Sequence, residues 1–203
     1  MSDRRYLSSL LICLVLVFVW SAIRPHDYFT WLLEVFPVLV AIPVLWFTYK
    51  KFPLSNLVYF LIFLHAIILM VGGHYTYAEV PLFNWLRDTF HLDRNYYDRV
   101  GHVAQGFVPA IIAREILLRT SPLRAGKWLF FLITCVCLAI SAFYEFLEWW
   151  VALASGSDAV AFLATQGDIW DTQWDMFLAF IGAICAQWLL AKRHNQSMSE
   201  LES

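Results

Sequence analysis

Apolar residues in this chain gather in six long runs, separated by short stretches where charge, proline and glycine collect. The runs lie near residues 6–23, 31–48, 55–73, 97–118, 128–150 and 171–191. A helix rises about 1.5 Å per residue, so each run is close to the length that a hydrocarbon layer about 30 Å thick demands. The pattern predicts an all-α polytopic membrane protein, a six-helix transmembrane bundle forming a single integral membrane domain over 1–203. Arg4 and Arg5 precede the first run as they would in a signal peptide. Yet Trp20-Ser21-Ala22-Ile23-Arg24 lacks a small-x-small cleavage pattern, so this run reads as a retained helix. Pro37 and Pro43 interrupt the second run, and each removes a backbone donor, which predicts a kink.

Composition sharpens this picture. Hydrophobic residues make up 61% of the chain and charged residues 15%, against roughly half and a quarter in soluble domains, so the excess is solvated by lipid. The 10 Trp, 9 Tyr and 17 Phe suit a chain that places aromatic rings at two membrane interfaces. A net charge of -2 excludes nucleic acid as a partner, and the composition excludes a disordered tail or a secreted disulfide scaffold. Cys13, Cys135, Cys137 and Cys185 sit inside apolar runs without a C-x-x-C pair and read as packing residues. If both termini are cytoplasmic, 10 of the 14 Lys and Arg fall on that side: Arg4, Arg5, Lys50, Lys51, Arg114, Arg119, Arg124, Lys127, Lys192 and Arg193. The positive-inside rule favours that orientation and sends the segments near 74–96 and 151–170 to the opposite face.

Those two segments border the polar chemistry. In GGHYTYAEVP (72–81), His74 ends the third run and Glu79 follows it. In DRVGHVAQGF (98–107), Asp98, His102 and Gln105 follow at four and three residues and share one helical face. YEFLEWW (144–150) carries Glu145 and Glu148 three apart, and TQGDIWDTQWDM (165–176) carries Asp168, Asp171 and Asp175. A bundle brings all four to one side. A carboxylate at a helix centre opposes insertion by about 2.5–3.5 kcal/mol, so the deeper groups, Glu145, Asp175 and His102, require partners, and Arg99 alone cannot serve three acidic clusters. For Asp98, Asp168 and Asp171 the alternative of solvated helix caps stands equally open. Inward-facing carboxylates and imidazoles at these spacings can hold a divalent metal ion, share protons, relay them, or line a wet cavity. His65, at the middle of its helix, reads as a satisfied core histidine, and Glu34 as an interfacial group. Trp149, Trp150, Trp170 and Trp174 read as belt anchors rather than a sugar platform, and Gly182 alone is no packing motif.

The runs GGHYTYAEVP, YDRVGHVAQGF, YEFLEWW and TQGDIWDTQWDM resemble those of the bacterial YjdF-type inner-membrane family over nearly the whole chain. That resemblance implies a multi-pass protein of the inner membrane and carries no activity. A fainter similarity, over the C-terminal half, is to VanZ-like membrane proteins. There an acidic residue and His open one helix, as Asp98 and His102 do, a Glu closes the next, as Glu145 or Glu148, and an Asp precedes a Gly, as Asp175 and Gly182. It implies a polar site at the outer membrane face.

Three functions compete on these residues. The first is a metal-assisted hydrolase or transferase acting on a lipid or lipid-linked head group. In it Asp98, His102, Glu148 and Asp175 hold a divalent metal ion while Glu145 or His74 accepts a proton, with Gln105, Asp168 and Asp171 completing the polar site. The second is a small transporter whose carboxylates carry protons or ions, although no inverted repeat is visible. The third is a non-enzymatic scaffold that binds a partner through this face. In every case the surroundings are membrane lipids, and nothing in the sequence fixes the oligomeric state.

Overall fold

A computed structural model describes residues 3–155 and 160–201, and every described element is helical. Six helices are long: α1 (Asp3–Ala22), α2 (Tyr28–Thr48), α3 (Asn56–Tyr75), α5 (Tyr97–Thr120), α6 (Lys127–Ser155) and α8 (Asp171–Ser199). Between α3 and α5 lie a 3-10 turn (Tyr77–Glu79) and α4 (Pro81–Phe90), and between α6 and α8 lies α7 (Val160–Leu163). Each predicted run thus becomes one helix, extended by a few residues where polar ends continue the hydrogen-bond ladder.

Local chemistry sets the boundaries. Asp27 stands outside α2 in an extended conformation, and its carboxylate accepts a hydrogen bond from the Thr30 N–H at 2.6 Å, satisfying one orphan donor of the first turn. Pro81 opens α4, where a missing N–H costs nothing, and His91 closes it in the left-handed conformation. Pro37 and Pro43 lie within α2, which remains one helix from Tyr28 to Thr48 through both interruptions.

Five of the long helices are apolar enough to cross a membrane by length and composition; α5 is the exception. It carries Asp98, Arg99, His102, Arg114 and Glu115, all buried. The arrangement resolves the conflict: α5 packs against α3, α6 and above all α8, so its charged face meets protein rather than lipid. Leu57, Val58 and Leu61 of α3, Ile111 of α5, Ile133 and Cys137 of α6, and Ala183 and Ala186 of α8 form the main apolar core. A second core joins α2 and α3 through Val35, Val38, Ala66 and Met70. Leu11, Ile12, Trp46, Phe47, Trp188 and Leu189 point outward, as does the belt of Trp149, Trp150, Trp170 and Trp174. Of the cysteines, Cys137 is buried, whereas Cys13 and Cys135 face outward, so packing inside the bundle accounts for only part of that set.

Gly182 acquires a partner that spacing did not reveal. A Cβ at Gly106 would stand 1.8 Å from the Ala179 carbonyl oxygen, and one at Gly182 would stand 2.2 Å from that of Val103. The two glycines let α5 and α8 touch backbone to backbone, side by side and running in the same direction. That contact places Asp98 beside Asp175 at one end of the bundle and Glu115 beside His194 at the other.

Candidate functional site

At the N-terminal ends of α5 and α8 the carboxylates meet two arginines. Arg94 Nη1 donates to Asp171 Oδ1 at 2.6 Å, and its Nη2 donates to Asp98 Oδ2 at 3.3 Å and to the Ala164 carbonyl at 3.1 Å. Arg99 Nη2 donates to Asp168 Oδ2 at 2.9 Å and to Asp171 Oδ1 at 2.7 Å, while its Nη1 bonds Asp175 Oδ1 closely. The expectation that Arg99 stood alone is therefore corrected, because Arg94, four residues before Asp98, turns inward with it. The solvated-cap reading also fails for Asp98 and Asp171, which are buried within this network; Asp168 stays partly open and also accepts the Trp170 N–H. Asn95 fastens the loop, its amide donating to the Val80 carbonyl and to Asn84 while its backbone pairs with Gln166.

His102 is the pivot of what remains. Its Nδ1 lies 3.0 Å from Gln105 Oε1, so a proton on that nitrogen leaves the lone pair on Nε2. Nε2 stands 3.4 Å from Asp98 Oδ1 and 3.5 Å from Asp175 Oδ1. Asp98 divides its labour, Oδ2 toward the arginines and Oδ1 toward His102. One ligand atom each from Asp98, His102 and Asp175 falls within 4.8 Å of the others, and the same holds for His102, Glu145 and Glu148. Ligands 2.0–2.2 Å from a tetrahedral ion are separated by about 3.4 Å, so the imidazole–carboxylate spacings are compatible with coordination as well as with direct ion pairing of the imidazole with both carboxylates.

On α6 the buried stripe Ile133, Cys137, Ser141 and Glu145 turns polar as it nears His102. Glu145 Oε1 and Ser141 Oγ are buried and without a hydrogen-bond partner among the described residues, although Glu145 also receives a side-chain bond from Thr172. Unpaired buried oxygens are costly, and two of them one helical turn apart mark a place that a proton, a water or an ion would satisfy.

Two expectations change. Glu34 is not interfacial: it is buried on α2, hydrogen-bonded by Tyr77 and close enough to Asp98 and His102 to interact with both electrostatically. The Tyr77 ring slots between Gly72 and Gly101, where a Cβ would come within 2.2 Å and 2.8 Å of it, and burial holds its phenol well above the ordinary value. The hydroxyl thus stays protonated and serves as a donor. His65 keeps its place at the middle of α3, within electrostatic reach of His102. His74, in contrast, turns away: its Nδ1 lies 3.0 Å from the Ser21 carbonyl oxygen and its ring packs at a tilt against Trp20 of α1, with the ring centroids 4.4 Å apart.

The opposite end of α5 holds a second polar cluster that sequence reading treated as loop charge. Glu115 accepts from the Ser55 N–H at 2.9 Å, the Ser55 hydroxyl at 2.6 Å, Arg119 at 2.7 Å and His194 Nε2 at 2.9 Å. Arg114 bonds His194 Nδ1 at 2.7 Å and Asn195 at 2.8 Å. Arginine can only donate, so His194 is neutral with its proton on Nε2. Both Glu115 oxygens are satisfied, which makes this cluster a clasp joining α3, α5 and α8 rather than a reaction centre.

These features define a class: a multi-pass α-helical membrane protein whose most polar helix is enclosed by the others and carries an acidic, histidine-centred site at one end. The chain belongs to the predicted membrane protein family DUF2238, whose pattern it matches over residues 6–196. It is 52% identical to inner membrane protein YjdF of Escherichia coli (strain K12) over 181 residues, covering 89% of this chain and 87% of that protein. No solved structure matches it.

Proposed function

We propose that this inner-membrane protein binds a divalent metal ion at His102 and uses it in hydrolysis or group transfer on a lipid or lipid-linked head group. The observation that carries this reading is that His102 belongs to two possible ligand groups, with Asp98 and Asp175 and with Glu145 and Glu148, beside a buried unpaired Glu145 oxygen. Arg94 and Arg99 between them bond Asp98 Oδ2, Asp168, Asp171 and Asp175 Oδ1, while Asp98 Oδ1 and the two glutamates remain to face the imidazole. A cation there offsets the excess of carboxylate that Arg94 and Arg99 leave. When bound, it would act as a Lewis acid and acidify a water, and Glu145 is the nearest candidate to take the proton. His74, engaged with α1, leaves that role to Glu145. Trp170, Trp174 and Phe177 form an exposed, largely apolar face on the outer side of the helix that bears Asp171 and Asp175, where an apolar lipid tail would lie. The site faces the periplasm in this reading, with both termini cytoplasmic, because Lys50, Lys51, Arg124, Lys127, Lys192 and Arg193 collect at the other end.

Thermal stability of the detergent-solubilised chain, titrated with zinc and with manganese, tests the metal. Saturating ion at about 100 times its Kd stabilises by roughly 2.7 kcal/mol, and that gain should vanish in His102→Ala and shrink in Asp98→Ala. Stabilisation that survives unchanged in both variants would sink the metal. The transporter reading draws on the same unpaired Ser141 and Glu145 oxygens. It gains if proton uptake into vesicles depends on Glu145 while no metal is retained.

A further inference from the structure

Between α3 and α5, at the same end of the bundle as His102, lies the ten-residue helix α4, none of whose residues is buried. Leu82, Leu86 and Phe90 recur along it at four-residue intervals with Trp85 beside them, while Asn84, Arg87 and Asp88 gather on the opposite side. We propose that α4 lies in the plane of the membrane, its apolar face seated in the leaflet at the His102 end, where phospholipid head groups meet acyl chains.

Exposure comes first. Leu82 is 61% exposed, Trp85 60% and Phe90 63%, so the face that α4 turns away from the bundle is its apolar one. Its other side is fastened inward. Phe83 packs edge-on against Tyr97 at 5.3 Å, Asn84 donates to the Glu79 carboxylate at 3.0 Å, and Asn84 Oδ1 accepts from Asn95 at 2.8 Å. At about 1.5 Å per residue α4 reaches half the roughly 30 Å hydrocarbon core, too short to cross it and long enough to lie along its boundary. Placement agrees. Only a 3-10 turn separates α4 from the end of the spanning helix α3, and the exposed Leu92, Tyr96 and Val100 carry the apolar surface onward from α4 to α5. The exposed Trp149, Trp150, Trp170 and Trp174 mark the same end. A protein partner would need about 20–30 residues a side, which α4 does not offer, whereas a lipid interface accepts a single amphipathic helix. Arg87 Nε bonds the neighbouring Asp88 at 2.9 Å, so the polar face is neutral as a pair, and apolar burial rather than attraction to anionic lipid holds the helix. Through Asn84 and Asn95, the loop that carries Arg94 is thereby held at the lipid surface.

Photocrosslinking of the native full chain in vesicles tests this seat. The vesicles are phosphatidylcholine doped with a phosphatidylcholine that carries a diazirine on the acyl carbons next to the glycerol ester, and a parallel set also contains phosphatidylglycerol. After illumination, peptide mapping should find adducts on Leu82, Trp85 and Phe90 at a yield close to that of Trp149 and Trp174, several-fold above Arg87 and Asp88, and equal in the two sets. Adducts that spare α4, or that reach it only with phosphatidylglycerol present, would overturn the assignment. A second measurement uses spin labels on Leu82→Cys and Asp88→Cys in chains carrying Cys13→Ser, Cys135→Ser and Cys185→Ser, the buried Cys137 being kept. Membrane-dissolved oxygen should relax the label at position 82, and a water-soluble nickel complex the label at 88. Equal nickel access at both positions would place α4 in water, and dipolar broadening between copies at position 82 would give the face to a second chain; either overturns the proposal. None of these readouts involves an ion at His102, so a failed metal test leaves this result standing.

Discussion

At the scale of single residues, Glu115 bears the greatest consequence. It is fully buried and receives four donors from three elements, so any change that removes its charge strands Arg119 and the Arg114–His194 pair. Breaking a buried ion pair from one side costs about 3–5 kcal/mol, and Glu115→Gln should lower unfolding stability in detergent by an amount of that order. A loss within experimental error would mean the cluster is hydrated and not a clasp. Asp27 offers a smaller, pH-dependent counterpart. Accepting the Thr30 N–H holds its carboxyl below the usual carboxylate range, so the folded state binds the proton more weakly than the unfolded chain does. Its stabilisation is therefore complete above about pH 4 and is lost as pH falls through the lowered value. Asp27→Ala should cost about 1 kcal/mol at neutral pH, and the two melting curves should converge in acid.

Between elements, the decisive contact is the glycine pair of α5 and α8. Gly106→Ala or Gly182→Ala forces a methyl group into a carbonyl that has nowhere to retreat, and either change should separate the helices and lower both stability and any His102-dependent binding. Gly126→Ala is the control, since a Cβ there meets nothing nearer than 3.9 Å and should leave the melting temperature within a degree or two of the native value, surface changes being worth about 0.5 kcal/mol or less. How much was legible in the sequence follows the same division. Length and apolar content placed all six long helices, and i, i+4 spacing put Asp98 and His102 on one face. Spacing says which face a residue occupies and nothing about what lies across from it. Glu34 comes within electrostatic reach of Asp98 and His102 from a helix earlier in the chain, and Glu115 pairs with Ser55 and His194 at separations of 60 and 79 residues. Gly182 likewise looked unremarkable until Gly106 stood against it. Arg94 escaped notice because a charge between two spans looks like a loop charge until the loop folds inward.

Over the whole molecule, the sign of charge separates the two ends: acidic groups surround His102, while exposed basic residues flank the Glu115 clasp. A reporter fused after Ser203 should therefore read cytoplasm, and a periplasmic readout would reverse the orientation of the site. The enclosed position of α5 has a consequence for how the chain is made. On leaving the ribosome, α5 precedes α8 by some fifty residues, and until α8 arrives its Arg99, His102 and Arg114 lack Asp171, Asp175 and His194. Each buried charge weighs about 2.5–3.5 kcal/mol against partition into lipid, so a nascent α5 should linger at the insertion machinery or in the interface instead of moving outward on its own. A chain stopped after residue 165 should leave α5 accessible to protease, and extending it through Ser199 should make it protected. Biosynthesis of this protein thus waits on its last helix.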